Sequence, residues 1–291
     1  MKLNPLRALR NWRHHSKNLP KPRLSSLWHH FRTQPVLGHR QLKAQVSVNF
    51  GRDSKLTQLA LEPSAYRLLK WEKYFDFYSS FLDSIAVASR SSSAGKKPIR
   101  LLEIGVFDGG SLALWRKYFG PNAVIFGIDI DPRCEAINGV DAQVRIGSQT
   151  DPEFLNRVIA EMGGLDIVVD DGSHNSRDVV ATFTHLFPAL SSPGHYFVED
   201  LHTSYWPRFG GGLRRASSSI EFFKKLVDEM NSFYFNATVS RAISKHPEIS
   251  SSTIGRVTFS DSLVAVSKEI VSLPRKFDSS VASEKETHSD G

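Results

Sequence analysis

The 291-residue sequence is poor in cysteine and has no long apolar run. Its single cysteine, Cys134, has no second thiol with which to form an intrachain disulfide, which is typical of a reducing compartment. No uninterrupted stretch of about 18 apolar residues occurs, and no apolar run of about 7–15 residues follows the first basic side chains. We therefore expect no transmembrane helix and no secretory signal, and we expect a cytoplasmic protein.

The first fifty residues also lack acids. They carry ten Lys and Arg and no Asp or Glu, whereas the remaining residues carry 27 Lys and Arg against 30 Asp and Glu, which together gives the formal net charge of +7. A solvated, partly disordered arm is one interpretation of this leader. The others are a peripheral contact with an anionic membrane, a contact with nucleic acid, and an organellar transit peptide. Of the two binding partners, the membrane surface is favoured over nucleic acid.

Alternating strand and helix patterns beyond residue 98 predict an α/β fold with a Rossmann-like, doubly wound, mostly parallel sheet and a C-terminal antiparallel hairpin. The predicted strands are 99–104, 124–129, 143–146, 165–170 and 195–199, and the hairpin strands are 256–259 and 263–267. The predicted helices are 64–89, 111–118, 152–162, 177–190 and 217–235. The predicted organisation is a basic extension (1–50), a helical segment with a linker (51–98), a core (99–272) and a disordered tail (273–291).

A glycine-rich loop follows the first core strand and opens a helix. Its spacing, from Gly105 to Gly109 and Gly110, is not the G-x-G-x-x-G of a pyrophosphate site, and Glu103 lies in the strand end. A cationic sulfonium cofactor tolerates an acid there, whereas a dinucleotide pyrophosphate would be repelled. Asp129 ends the second strand and is suited to accept hydrogen bonds from ribose hydroxyls. The pattern favours a nucleoside cofactor with a positive charge.

Two acidic pairs follow successive strands. Asp170 and Asp171 end the fourth strand, and Glu199 and Asp200 end the fifth. Parallel strands bring these ends to one edge of the sheet, where four carboxylates repel each other unless protons or a cation neutralise them. Oxygen ligands favour Mg²⁺, with Mn²⁺ or Ca²⁺ as alternatives. His174 lies three residues beyond Asp171, within reach of the same place.

The segments 168–174, 186–190 and 198–207 resemble the metal-dependent sugar O-methyltransferases of macrolide and polyketide tailoring, within the class I S-adenosylmethionine-dependent methyltransferases. The resemblance covers about residues 99–212. It implies Mg²⁺ on Asp171, Glu199 and Asp200, with His174 as general base. The cofactor site that it implies is lined by Glu103, Gly105, Ser111, Asp129, Ser148, Gln149 and Asp170. The chain departs from the family in its leader and at Pro193-Gly194.

The predicted function is O-methylation of a sugar hydroxyl on a glycoconjugate or glycosylated natural product, with S-adenosyl-L-methionine as donor and a divalent metal. Tyr205 and Trp206 are candidates for an apolar wall against the sugar ring. The chain could also act as a homo-oligomer. Three alternatives stay open: a catechol-type O-methyltransferase, a metalloenzyme resembling cephalosporin hydroxylases, and a non-catalytic module tethered to a membrane or RNA through the leader.

Overall fold

A seven-stranded sheet forms the centre of the computed structural model, which describes residues 54–90, 97–139, 141–235 and 253–272. The strands are β1 (Arg100–Ile104), β2 (Val124–Asp129), β3 (Gln143–Ile146), β4 (Leu165–Asp170), β5 (Leu190–Val198), β6 (Ile254–Ser260) and β7 (Leu263–Lys268). Their order across the sheet is β3-β2-β1-β4-β5-β7-β6. The first five run parallel, and β7 lies antiparallel to both β5 and β6. The predicted fold class is confirmed.

Six α-helices connect and flank the strands in the described part of the chain. They are α1 (Lys55–Ala60), α2 (Glu72–Arg90), α3 (Gly110–Phe119), α4 (Pro152–Met162), α5 (Ser176–Ala189) and α6 (Ser219–Met230). Short 3₁₀ turns cover Pro132–Ile137, Leu201–Tyr205, Pro207–Phe209 and Ser232–Tyr234. Helix α4 begins where it does because the Asp151 side chain accepts hydrogen bonds from the N–H groups of Glu153 and Phe154, with Pro152 in the first turn.

Each face of the sheet buries its own apolar cluster. On one face, Phe183 and Phe223 bring α5 and α6 together against β4 and β5. On the other face, Tyr78 of α2 packs edge-on against Trp115 of α3, with ring centroids 5.1 Å apart. Both faces are covered, as the continuous apolar pattern of the parallel strands requires. Residues 54–90 therefore belong to the same folded body as the sheet.

The helix predicted at 64–89 is wrong over its first eight residues. Helix α2 begins only at Glu72, and residues 61–71 form an irregular connection after α1. The backbone of this connection lies directly on the glycine loop, because a Cβ added to Gly110 would lie 2.3 Å from the carbonyl oxygen of Arg67. Apolar periodicity alone could not reveal the constraint.

Other boundaries shift by a few residues. Strand β5 begins at Leu190 instead of 195, and the helix predicted at 217–235 ends at Met230. The predictions for the leader (1–50) and the tail (273–291) lie outside the described residues. Among the residues that the structure describes, no helix is long and apolar enough to cross a membrane.

Candidate active site at the carboxyl edge of the sheet

Each acidic pair sends one carboxylate into the protein interior. Asp170, at the end of β4, has 1% of its surface exposed and accepts hydrogen bonds from the Tyr196 hydroxyl (3.1 Å) and the Gln149 amide (3.3 Å). Burial raises the pKa of Asp170 to about 7. Glu199, after β5, is 3% exposed and accepts a 2.6 Å hydrogen bond from the Tyr78 hydroxyl. Tyrosine hydroxyls thus hold the inward acid of each pair.

The other two acids face each other across His174. The imidazole Nε2 lies 3.9 Å from Asp171 Oδ1 and 3.9 Å from Asp200 Oδ2. One ligand atom from each of the three side chains falls within 4.8 Å of the others. His174 adopts the left-handed backbone conformation (φ 56°), as does Asp200 (φ 51°), and these turns aim both side chains at the same point. The two carboxylates suit a divalent cation such as Mg²⁺ or Mn²⁺, and the imidazole beside them suits proton transfer.

Asp200 is oriented by aromatic donors from the start of α2. Its Oδ1 accepts hydrogen bonds from the Trp71 indole N–H at 3.1 Å and from the Tyr74 hydroxyl at 2.8 Å. The other carboxylate oxygen, Oδ2, is the one that faces His174. The two donors therefore fix which oxygen of Asp200 a cation or substrate would meet.

Lys70 brings a buried positive charge into the cluster. Its side chain is 2% exposed, and its Nζ lies 2.6 Å from Glu199 Oε1, 3.0 Å from Asp171 Oδ2 and 3.3 Å from Glu103 Oε1. Burial opposes the charge, but the three carboxylates outweigh burial and hold the pKa of Lys70 above its usual value. One ammonium faces three carboxylates, and burial raises the pKa of Glu199 well above its usual value, so the acids of the cluster need protons or a further cation for neutrality.

The contribution of residues 70–78 was absent from the sequence predictions. Lys70, Trp71, Tyr74 and Tyr78 all donate to the acids that follow β4 and β5. A signal was present in the chain, because Tyr74 and Tyr78 are four residues apart on one helix face, with Lys70 four residues before Tyr74. Hydroxyl and ammonium groups at the ends of side chains on an otherwise apolar face indicate that the element packed against this face carries buried hydrogen-bond acceptors.

On the cofactor side, Asp129 orders the glycine loop. Its Oδ2 accepts hydrogen bonds from the backbone N–H groups of Val106 (2.9 Å) and Phe107 (3.2 Å). Asp129 is itself partly exposed, and the neighbouring apolar side chains are open to solvent, Ile130 to 76% and Phe107 to 37%. A carboxylate can accept hydrogen bonds from a ribose, and the exposed apolar side chains beside it can contact a base.

Two other predicted cofactor residues, Glu103 and Ser111, are buried, and a third, Gly105, is half-buried. Glu103 has no exposed surface, its pKa is raised by burial, and it faces Lys70 and Ser111. Gly105 is needed for a close approach of backbone, because a Cβ there would lie 2.2 Å from the Asp171 carbonyl oxygen. The glycine loop after β1 is therefore in direct contact with the residues that follow β4. A shift of the backbone in one segment would move the other.

The predicted residues after β3 brace a neighbouring loop. Gln149 accepts a 2.7 Å hydrogen bond from the Ser173 N–H and donates to the Thr182 hydroxyl at 3.0 Å. Ser148 is partly exposed and pairs with the Thr150 hydroxyl at 2.9 Å. Gln149 thus supports the turn that carries His174, and Ser148 keeps an open side toward solvent.

Several aromatic rings lie around the turn that follows Asp200. The His202 ring lies 4.9 Å from Trp206 and 6.4 Å from Trp71, measured between ring centroids, and both contacts are edge-on. Tyr205 is 40% exposed. Tyr205 and Trp206 are the two residues predicted as an apolar wall. The sequence predictions did not place the rings of Trp71 and His202 beside them.

The sheet order is that of an α/β methyltransferase fold, and part of the sequence matches a methyltransferase family. Residues 102–201 match the family described as "Methyltransferase domain". That match spans β1 to the start of the turn after β5, and so contains both acidic pairs and His174. This part of the chain is therefore similar to methyltransferase domains.

The chain is similar to particular enzymes of this kind. It is 39% identical over 144 residues to L-olivosyl-oleandolide 3-O-methyltransferase of Streptomyces antibioticus, covering 46% of this chain and 37% of that protein. It is 34% identical over 187 residues to 8-demethyl-8-alpha-L-rhamnosyl tetracenomycin-C 2'-O-methyltransferase of Streptomyces olivaceus, covering 59% of this chain and 46% of that protein. The chain thus spans less than half the length of these relatives.

A solved structure shares the fold. The MycE methyltransferase from the mycinamycin biosynthetic pathway, in complex with Mg and SAH, superposes with a TM-score of 0.61 at 27% identity, covering 79% of this chain and 59% of that one. The resemblance to sugar O-methyltransferases inferred from the motifs is confirmed by these comparisons.

Proposed function

We propose that this protein is a divalent-cation-dependent methyltransferase that transfers the methyl group of S-adenosylmethionine to a sugar hydroxyl. The observation that carries the proposal is the convergence of Asp171, His174 and Asp200 at the carboxyl edge of a methyltransferase domain. Ligands of open α/β sheets bind at this edge. The relatives named for sugar O-methylation, and the structure that holds Mg and SAH, support the same chemistry.

The cofactor would lie against the ends of β1, β2 and β3. Asp129 would accept hydrogen bonds from the ribose hydroxyls, Phe107 and Ile130 would offer apolar surface to the base, and Ser148 would offer a hydroxyl near the open edge. When bound, S-adenosylmethionine supplies an electrophilic methyl group on a positively charged sulfur. The acids near this edge favour that charge.

The metal would be held by Asp171 and Asp200, whose oxygens flank His174. When bound, a divalent cation lowers the pKa of a coordinated hydroxyl, as it does for coordinated water. Trp71 and Tyr74 hold one oxygen of Asp200 and leave the other facing the site. These donors limit the motion of the carboxylate, so that the ligand geometry is set before the cation arrives.

His174 is the proposed general base. Its Nε2 lies 3.9 Å from an oxygen of each facing carboxylate, and an imidazole is the side chain that most often takes up a proton in general base catalysis. The flanking acids would stabilise the imidazolium that forms. Sugar hydroxyls need such help because they are weak acids.

The acceptor is proposed as a glycosylated compound that lies against the aromatic rings beyond Asp200. Tyr205 and Trp206 present ring surface next to the acidic edge, as sugar-binding sites commonly do. A metalloenzyme of the hydroxylase kind is less well supported. Non-haem iron oxygenases use two histidines and one carboxylate, whereas the group found among the described residues has one histidine and two carboxylates.

The test is methyl transfer followed by mass spectrometry. The full chain is incubated with S-adenosylmethionine and Mg²⁺, together with either rhamnosylated and olivosylated polyketides or a catechol. The proposal expects one added methyl group on a sugar, lost when a chelator removes the metal and restored by Mg²⁺. Methylation of the catechol alone would contradict the sugar acceptor. Transfer that survives the chelator would contradict the role of the metal.

A further inference from the structure

His202 lies beside the candidate site, in the turn that follows Asp200. This turn is closed by a 3.0 Å hydrogen bond from the Thr203 N–H to the Asp200 carbonyl oxygen. Burial lowers the pKa of His202, and the charges that act on the ring include those of Asp200 and His174. The imidazole of His202 is therefore within electrostatic range of two side chains that face each other at the carboxyl edge of the sheet.

One ring nitrogen of His202 is bonded within the fold. Its Nδ1 lies 2.5 Å from the hydroxyl of Ser262, in the turn between β6 and β7. Ser262 is itself held, because its carbonyl oxygen accepts a 2.9 Å hydrogen bond from the Leu201 N–H and its hydroxyl accepts one from the Tyr74 hydroxyl at 3.1 Å. A hydrogen bond at one nitrogen of an imidazole fixes the orientation of the ring and the role of the other nitrogen.

The second ring nitrogen, Nε2, makes no hydrogen bond with the residues that the structure describes, and the side chain is half-buried. The ring meets Trp206 and Trp71 edge-on, with centroids 4.9 and 6.4 Å away. Ligand pockets commonly combine aromatic surface with a small number of polar atoms that fix the orientation of the ligand. Nε2 of His202 is a polar atom of this kind, bordered by two aromatic side chains.

We propose that Nε2 of His202 binds a hydroxyl of the acceptor sugar other than the hydroxyl that is methylated. This inference rests on the proposed function for the presence of a sugar. An imidazole nitrogen can donate to a hydroxyl or accept from it, so that the contact suits a neutral sugar. Because the reacting oxygen is not involved, the contact stabilises the bound acceptor and the transition state alike, and it affects KM more than kcat.

The test is calorimetric titration of a rhamnosylated polyketide into the full chain in the presence of S-adenosylhomocysteine and Mg²⁺. The acceptor is compared with analogues that each lack one hydroxyl of the sugar. His202→Phe keeps an aromatic ring without a nitrogen and should weaken binding of the complete acceptor by about tenfold, as loss of one hydrogen bond does. His202→Gln, whose amide can take the place of Nε2, should keep the affinity within about threefold.

The analogues identify the hydroxyl that His202 contacts. One of them should bind the unchanged protein about tenfold more weakly than the complete acceptor does, and should bind His202→Phe with the same affinity, because the contact is already missing. Its missing hydroxyl should differ from the one at which mass spectrometry finds the methyl group. In methyl transfer to the complete acceptor, His202→Phe should raise KM by about tenfold and change kcat by less than about threefold.

His195 supplies a matched control. Its Nδ1 also pairs with a serine hydroxyl of the hairpin, that of Ser267 at 3.1 Å, but His195 lies in β5 four residues before Glu199. That separation is roughly 13 Å along a strand. His195→Phe should leave the affinity for every glycoside unchanged. His202→Leu repeats the test if the phenylalanine ring is not tolerated, and circular dichroism checks that each variant is folded.

A folded His202→Phe that binds every glycoside as the unchanged protein does would overturn the proposal. A loss of the same size for every glycoside would also overturn it, because His202 would then only support the fold. In both cases, binding of S-adenosylhomocysteine and methyl transfer by the unchanged protein leave the proposed function standing. An unchanged protein that binds S-adenosylhomocysteine but none of the glycosides overturns the sugar acceptor and the role of His202 together.

Discussion

The acidic side chains at the two ends of the sheet have different sets of partners. At the amino end of β4, Asp166 meets Arg100, whose Nε and Nη2 donate to its two oxygens at 2.8 and 2.6 Å. Arg100 also binds Ser191 and the Gly163 carbonyl. At the carboxyl end, one ammonium, that of Lys70, faces three carboxylates. Acid and base are matched one to one at the first end, whereas acids outnumber bases at the second.

This difference in partners assigns the acid at the amino end to stability and the acids at the carboxyl end to function. A buried acid matched by a bidentate arginine is satisfied and has no capacity left for a ligand. Acids in excess of their cations raise the energy of the folded protein until a proton or a metal joins them. The carboxyl end is thus the place where a cation can bind, and the amino end is the place where removal of a partner weakens the fold.

The largest expected effect is loss of metal at the carboxyl end. Asp171→Asn and Asp200→Asn should each weaken Mn²⁺ binding by at least about tenfold and reduce methyl transfer further, because each removes a charged ligand. Asp166→Asn is the matched control at the other end and should leave Mn²⁺ binding unchanged. Equal losses at both ends, measured on folded protein, would erase the distinction between them.

His174→Asn should reduce methyl transfer by about 100-fold or more, since a positioned base is worth about 10²–10⁴-fold. Asparagine tolerates the left-handed backbone that His174 adopts, so that the turn is kept. Binding of S-adenosylhomocysteine should survive, as measured by calorimetry. Full activity in this variant would remove the imidazole from the mechanism.

At the amino end, Asp166→Asn should lower the free energy of unfolding by about 3 kcal/mol at pH 7, because it leaves the buried Arg100 without its counter-charge. Urea denaturation followed by circular dichroism measures this. The metal-site variants should change stability in the opposite direction or little, since they relieve repulsion between acids.

The same pair predicts a pH dependence. Burial alone would raise the pKa of Asp166, but hydrogen bonds from Arg100 and Ser191 lower it below its usual value. The ionised carboxylate therefore stabilises the fold above the unfolded value of about 3.9, and this contribution is lost as the pH falls through the depressed folded value. The stability difference between the unchanged protein and Asp166→Asn should shrink on acidification below about pH 4. A constant difference would contradict the pairing.

The smallest effect concerns the tyrosines that hold the inward acids. Tyr196→Phe leaves Asp170 without its 3.1 Å donor and should cost about 1–3 kcal/mol of stability, with little effect on Mn²⁺ binding. Tyr78→Phe should cost a similar amount, since Glu199 keeps Lys70 as a partner. Strong loss of metal in Tyr196→Phe would show that Asp170 takes part in the site.

Much of the fold could be predicted because its signals are local. Strands β2, β3 and β4 and helix α4 match their predicted bounds to the residue, with Asp151 and Pro152 marking the helix start. The irregular connection at 61–71 was not predicted, because it lies against Gly110, which is distant in the sequence. Local pattern carries no information on such a contact.

The site was predictable in its location more than in its detail. Parallel strands had to bring the two acidic pairs to one edge, and Asp171, His174 and Asp200 do lie together there. The inward turn of Glu199 follows from Lys70, which is 129 residues away in sequence. Beyond the end of a strand the alternation of side chains stops, and partners from elsewhere decide the direction in which each side chain points.

The proposed binding of the methyl-donor cofactor at Asp129 is tested most directly by calorimetric titration of S-adenosylhomocysteine into the full protein. We expect saturable binding that Asp129→Asn weakens by about tenfold, as loss of a charged hydrogen-bond acceptor should, and that Asp166→Asn, kept under conditions where it is folded, leaves unchanged. No binding to the unchanged protein, with or without Mg²⁺, would contradict the account.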